Sequence, residues 1–133
     1  MKTIVLKTKP IPVNQKYSVI RGRMLLSKTY RDTKTAMEWE IRSTWRIAPH
    51  TGSVAVNVLF YYGDNRKRDI DAYLKILLDA MTGTVYEDDS QIELLQVFKK
   101  FDKINPRTVI NILDEKQIRD LERYTKLPDL QGK

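Results

Sequence analysis

Residues 64–89, DNRKRDIDAYLKILLDAMTGTVYEDD, carry seven acids in a chain whose net charge is +7. Asp69 and Asp71 form an Asp-x-Asp pair where a polar loop meets an amphipathic run. A helix dipole favours an acid in a first turn, which accounts for either one alone but not for the cluster. Asp71, Lys75 and Asp79 are spaced i, i+4, i+8 and so share one helical face. Surface ion pairing is the bland account of that face; the sharper one sets Lys75 among carboxylates, where it can orient a phosphate. Glu87, Asp88 and Asp89 stand in a row after Tyr86 and repel one another unless they are solvated or bound to a cation. Arg66, Lys67 and Arg68 come directly before Asp69 and suit a site where phosphate must approach metal. Together these features fit phosphodiester hydrolysis. Hard divalent cations activate water and stabilise a leaving oxygen, and they bind through oxygen ligands.

Composition narrows the alternatives. The chain has no cysteine, which excludes disulfides, thiolate nucleophiles and cysteine-ligated zinc. His50 is the single histidine, which argues against a zinc site or a histidine-only base. Residues 1–35 hold nine basic residues against one acid, Asp32; that is +8 of the net +7 and leaves the remainder at −1. A segment of that kind suits a phosphate backbone, where Lys and Arg release condensed counterions. No apolar run reaches the length of a membrane span, and the N-terminus lacks a signal-peptide block, so a cytoplasmic setting is expected.

The elements that must position the acids can be read from periodicity. Residues 3–8 alternate and predict a strand, followed by a loop marked by Pro10, Pro12 and Asn14. Residues 17–26 read as extended, turning at Gly22. Ser27 predicts the N-cap of a helix reaching about Ile47. Met37, Ile41 and Trp45 form its core stripe, joined by Tyr30 and Ala48, with Trp39 opposite. Residues 53–62 predict a central strand, and 70–82 a helix that ends at Gly83. Residues 91–102 and 106–113 read as a hairpin about Asn105–Pro106, and about 115–125 as a closing helix. The order predicts a single α+β domain over residues 1–125, a mixed β-sheet packed with about three helices, with 126–133 as a tail.

The run Arg66-Lys67-Arg68-Asp69-Ile70-Asp71, then Lys75, Asp79-Ala80 and Asp88-Asp89-Ser90-Gln91, closely resembles the signature of RusA-type Holliday junction resolvases. Pro10, Pro12, Asn14, Arg21-Gly22-Arg23, Ser27 and Tyr30-Arg31 follow the same order more weakly. Ala72 stands where the family often has Asn, and the segment between Lys75 and Asp89 is slightly shorter. The resemblance implies catalytic roles for Asp69, Asp71, Lys75 and Asp89, with the three aspartates holding Mg²⁺ or, as a substitute, Mn²⁺. It implies a homodimer of bacterial or phage origin that cuts two opposed strands of a four-way DNA junction in recombination and repair. Asn14, Lys16, Arg21, Arg23, Arg66, Lys67 and Arg68 are the expected DNA contacts. Three other readings stay open: a flap-type nuclease, a non-catalytic branched-DNA binder, and a ribosomal-type RNA-binding protein. The last leaves the acids unexplained.

Overall fold

The segment VAVNVLFYY is mostly β-branched and aromatic, and it forms the strand on which the molecule is built. The computed structural model describes residues 1–125, with side chains to residue 123. In chain order it contains β1 (Lys2–Leu6), the hairpin strands β2 (Tyr17–Ile20) and β3 (Arg23–Leu26), α1 (Lys28–Thr44) and β4 (Val54–Tyr62). These are followed by α2 (Leu74–Met81), β5 (Ile92–Phe101), β6 (Arg107–Leu113) and α3 (Glu115–Thr125). The main sheet runs β1-β6-β4-β5, and the hairpin is a separate two-stranded sheet. This is the expected α+β architecture with a mixed sheet and three helices among the described residues. The predicted tail, 126–133, lies outside them.

The predicted pairing of β5 with β6 is not found. β4 lies between them, parallel to β5 and antiparallel to β6. The physical reason is the character of β4. Val54, Val56, Val58 and Phe60 face one side and Ala55 the other, all fully buried. A strand of this kind is stable only with both edges paired. The connection after β5 therefore crosses the end of β4, where the Asp102 N–H donates to the Tyr62 carbonyl at 2.8 Å. Its parallel pairing with β4 is reached through α2.

The main core lies on one face of the sheet. There Tyr30, Met37 and Ile41 of α1 and Ile76, Leu77, Ala80 and Met81 of α2 meet the inward residues of β1, β4 and β6. On the opposite face Ile118 of α3 covers Ala55 and Leu113. The Ser27 cap is present, its Oγ accepting from the Tyr30 N–H at 3.0 Å. α1 stops at Thr44, three residues short of Ile47, because Trp45 turns extended while staying buried; Ala48 is exposed rather than part of the stripe. Residues 17–26 form a tight hairpin, with Arg21 and Gly22 at φ of 53° and 76°. That is the left-handed pair a two-residue turn requires. No helix among the described residues is long and apolar enough to cross a membrane.

Candidate active site

The site begins where β4 runs out. Arg68, with only 7% of its side chain exposed, anchors the loop that follows. Its guanidinium lies 4.1 Å over the Tyr62 ring, pairs with Asp64 at 2.9 Å and hydrogen-bonds Tyr73. Asp64 also accepts from the Arg66 N–H at 3.0 Å, which, with Arg68, holds its carboxyl below the usual range. From β5, Lys99 donates to the Arg68 carbonyl at 2.6 Å. Arg66 and Lys67 remain exposed. Of the three consecutive cations, the first two are thus presented to solvent and the third is committed to the fold.

The helix predicted over 70–82 starts at Leu74 instead. Asp69 and Asp71 sit in the turns before it, closed by Ala72 N–H to Asp69 O and Leu74 N–H to Asp71 O, both at 3.2 Å. The cause is long-range. The Val13 N–H takes the Ala72 carbonyl at 2.9 Å, a group that a continuous helix would offer to residue 76. Both carboxylates are exposed, and neither pairs with a cation or accepts a hydrogen bond among the described residues.

In the first turn of α2, Lys75 pairs with Asp79, one turn further on, at 3.1 Å. Asp79 is the hub of a larger network. Lys16 reaches it at 3.6 Å, and the buried Tyr30 hydroxyl donates to it. Burial pushes the Asp79 carboxyl upward, but Tyr30, Lys75 and Lys16 outweigh it and hold the group below the ordinary value. Lys75 is raised, chiefly by Asp79 and more weakly by Asp89, so it stays charged. The Lys16 ammonium also faces the rings of Tyr17 and Tyr30 at 5.4 and 5.3 Å.

Asp89 opens the 3-10 turn Asp89–Gln91, half-buried, within electrostatic reach of Lys75 and Tyr86. The turn is closed by a capping box: Asp88 accepts from Ser90, and Gln91 Oε1 accepts the N–H groups of Glu87 and Asp88, each at 2.9 Å. Gln91 Nε2 donates in turn to the carbonyls of His50 and Gly52, at 2.7 and 2.9 Å. One side chain thereby ties the acid turn to the segment entering β4.

The structure thus joins Lys75 and Lys16 through Asp79, leaves Asp89 within electrostatic reach of Lys75, and places Asp69 and Asp71 just before the same helix. Asn14 lies exposed in the 3-10 turn Val13–Gln15, while Arg21 and Arg23 lie at the exposed hairpin tip. Tyr30 is the member that sequence reasoning did not place in the site, while Asp79 and Gln91 stood in the acid cluster and the family signature without an assigned role. Tyr30 read as core, which it also is, and its bond to Asp79 spans 49 residues. Among the described residues, no three acids or histidines stand close enough together to hold a metal ion. The donor chemistry nevertheless fits a hard divalent cation: Asp69 and Asp71 are uncommitted carboxylates, and Asp89 adds a third from a second segment.

No curated protein matches the chain. The family of the endodeoxyribonuclease RusA matches it over residues 8–113. That span runs from the end of β1 through β6 and includes every residue of the network described above. The chain belongs to the RusA endodeoxyribonuclease family.

Proposed function

We propose that the protein is a divalent-metal-dependent endodeoxyribonuclease that resolves four-way DNA junctions by paired, symmetric cuts. The observation that carries the reading is the pair of uncommitted carboxylates, Asp69 and Asp71, just before the helix whose Lys75 lies within electrostatic reach of Asp89, in a chain of this family. Asp69, Asp71 and Asp89 would hold the ion, Mg²⁺ or Mn²⁺. When bound, it supplies Lewis acidity and a water acidified toward hydroxide. The protein's own groups do the rest. Asp79 keeps Lys75 charged and fixed, so its N–H groups are ready for a phosphate oxygen on which charge develops. Tyr30 and Lys16 fix Asp79 in turn. Arg66, Lys67, Asn14, Arg21 and Arg23 offer exposed donors to the backbone of the arms, while Lys16 and Arg68 act from behind that surface.

Symmetric cutting needs two sites, and a twofold dimer supplies them. The hairpin supports a second copy as its partner. Its register puts Tyr17, Val19, Met24 and Leu26 on one face, with Ile20 and Leu25 on the other, and all six are exposed. The four on the first face offer roughly 450 Å² per copy, a little over half of the ~800 Å² per partner of a standard interface. Trp39, at 69% exposed, is the alternative contact. Met24→Glu is expected to turn a dimer into a monomer in sedimentation; an unchanged dimer points to the Trp39 face. The proposed setting is the cytoplasm of a bacterium or of a phage-infected cell, with residues 1–125 as the nuclease domain.

The dispersal of the acids favours one other reading, a branched-DNA binder without catalysis. Cleavage of a synthetic four-way junction in Mg²⁺ decides between the two. Paired cuts support the resolvase; tight binding with no cuts in Mg²⁺ or Mn²⁺ supports the binder.

A further inference from the structure

A cavity of about 290 Å³ opens at the C-terminal end of β4, sharing Tyr62, Asp64 and Arg68 with the loop at which the site begins but none of the acids or lysines of the network around Asp79. Lys7, Lys9, Tyr61, Tyr62, Arg68 and Arg107 line it, with Asp64 as the one acid. Two of its walls are built alike. The Arg107 guanidinium lies 3.9 Å over the Tyr61 ring, and that of Arg68 lies 4.1 Å over Tyr62. Each guanidinium is also held by a carboxylate, Asp102 at 2.8 Å and Asp64 at 2.9 Å. These are flat, fixed, cationic plates. The two lysines differ: neither ammonium pairs with a carboxylate among the described residues, and Lys7 bonds only the neutral Asn105 side chain.

The backbone carrying those lysines is held in place as it leaves β1. Glu40 of α1 accepts from the Lys7 N–H at 2.6 Å, the Thr8 N–H at 2.9 Å and the Thr8 hydroxyl. A basic groove continues from the cavity, sharing Lys9, Pro10 and Arg68 with it and adding Arg66, Lys67 and Tyr73. The groove ends at the segment that Val13 stitches to Ala72, next to Asp71. A duplex is too wide for a cavity of this size, whereas one nucleotide fits. Unpaired bases stack on aromatic rings and guanidinium planes, and free ammonium groups take phosphates.

We propose that this cavity binds one unpaired nucleotide of a strand that runs along the groove to the Asp69–Asp71 turn. The base lies against the Arg107–Tyr61 and Arg68–Tyr62 stacks, and its phosphates meet Lys7 and Lys9. The proposal rests on the DNA-binding part of the reading above, not on catalysis.

The test is metal-free binding of a short labelled oligothymidylate, the same oligomer with a central abasic site, and a short duplex. Wild type is compared with the doubly substituted Lys7→Gln, Lys9→Gln protein. Both lysines are exposed, so the variant is expected to keep the wild-type melting temperature. Wild type is expected to hold the intact oligomer about fivefold or more tighter than the abasic one, the worth of one stacked base. The double variant is expected to lose about tenfold on the oligomer and about 1.4 of its log–log salt slope, two single-strand phosphates' worth. Its loss on duplex should be much smaller. Equal affinity for intact and abasic oligomers overturns the base pocket. Equal losses on oligomer and duplex make the lysines a general basic surface and also overturn it. If the oligomer results hold while no junction is cut, the resolvase reading falls and the pocket stands; if junctions are cut but the oligomer is not held, the reverse is true.

Discussion

Gln91→Ala removes the side chain that ties the Asp88–Asp89 turn to the entry of β4. The structure assigns that side chain two accepted and two donated hydrogen bonds, all to backbone groups, at 2.7–2.9 Å. A net contribution of about 0.5–1.5 kcal/mol per bond gives roughly 2–6 kcal/mol if nothing replaces them. Water can replace some, because Glu87 and Asp88 are exposed and Gln91 itself is half-buried. The lower part of the range, about 2–3 kcal/mol, is therefore the expected loss. Urea unfolding at neutral pH measures it, as a lower midpoint at unchanged slope. A second readout separates positioning from simple stability. At a temperature where the variant is fully folded, junction cleavage should fall about tenfold or more while junction binding stays near wild type, because Asp89 loses its frame. Gln91→Glu sharpens the case: it keeps the acceptors but sets a carboxylate against two carbonyls and two neighbouring acids, so it should be no better than Ala. A stability loss below about 0.5 kcal/mol, or normal cleavage by a folded Gln91→Ala protein, would show that Gln91 does not hold the acid turn in place.

Further predictions concern the network behind Lys75. Asp79→Ala leaves the buried Tyr30 hydroxyl without its acceptor and should cost about 2–3 kcal/mol, and a double-mutant cycle with Tyr30→Phe should show coupling of about 1 kcal/mol; additive losses would mean that the two groups do not interact. Asp79 is depressed in the folded state, so its stabilisation is present above the unfolded value, near pH 4, and is lost as pH falls through the lower folded value. Urea midpoints of wild type should therefore drop below about pH 4, and Asp79→Asn should shrink that drop. Arg68→Lys keeps the charge but loses the stack on Tyr62 and the reach to Tyr73, and should lower stability by about 1–2 kcal/mol by thermal melting; an unchanged melting temperature would show that the loop does not need it.

Much of this was legible along the chain because the signals were local. Ser27 with the Met37–Ile41–Trp45 stripe fixes α1, and the apolar run at 54–62 fixes the central strand. The order of the acids and Lys75 marked out the candidate site. The rest depended on contacts that no local pattern encodes. β5 and β6 are adjacent in sequence with a turn between them, so pairing was the natural reading; only the demand of β4 for two neighbours separates them. The start of α2 is set by Val13, about sixty residues earlier in the chain. Lys16 and Arg68 read as free cations for DNA, whereas Asp79 and the Tyr62 ring engage them. Gln91 stood in the family signature, but its four backbone bonds appear only once residues 50–52 lie beside it.

The most direct test is cleavage of a synthetic four-way junction in Mg²⁺ by wild type and Asp71→Asn, with linear duplex as control and binding measured in parallel. Wild type is expected to make paired, symmetric cuts in the junction alone, abolished by chelator. Asp71→Asn, which loses a carboxylate that the fold leaves unpaired, is expected to make no cuts but to retain binding. Equal cleavage by the two proteins would contradict the assignment of Asp71 and, with it, the acid site.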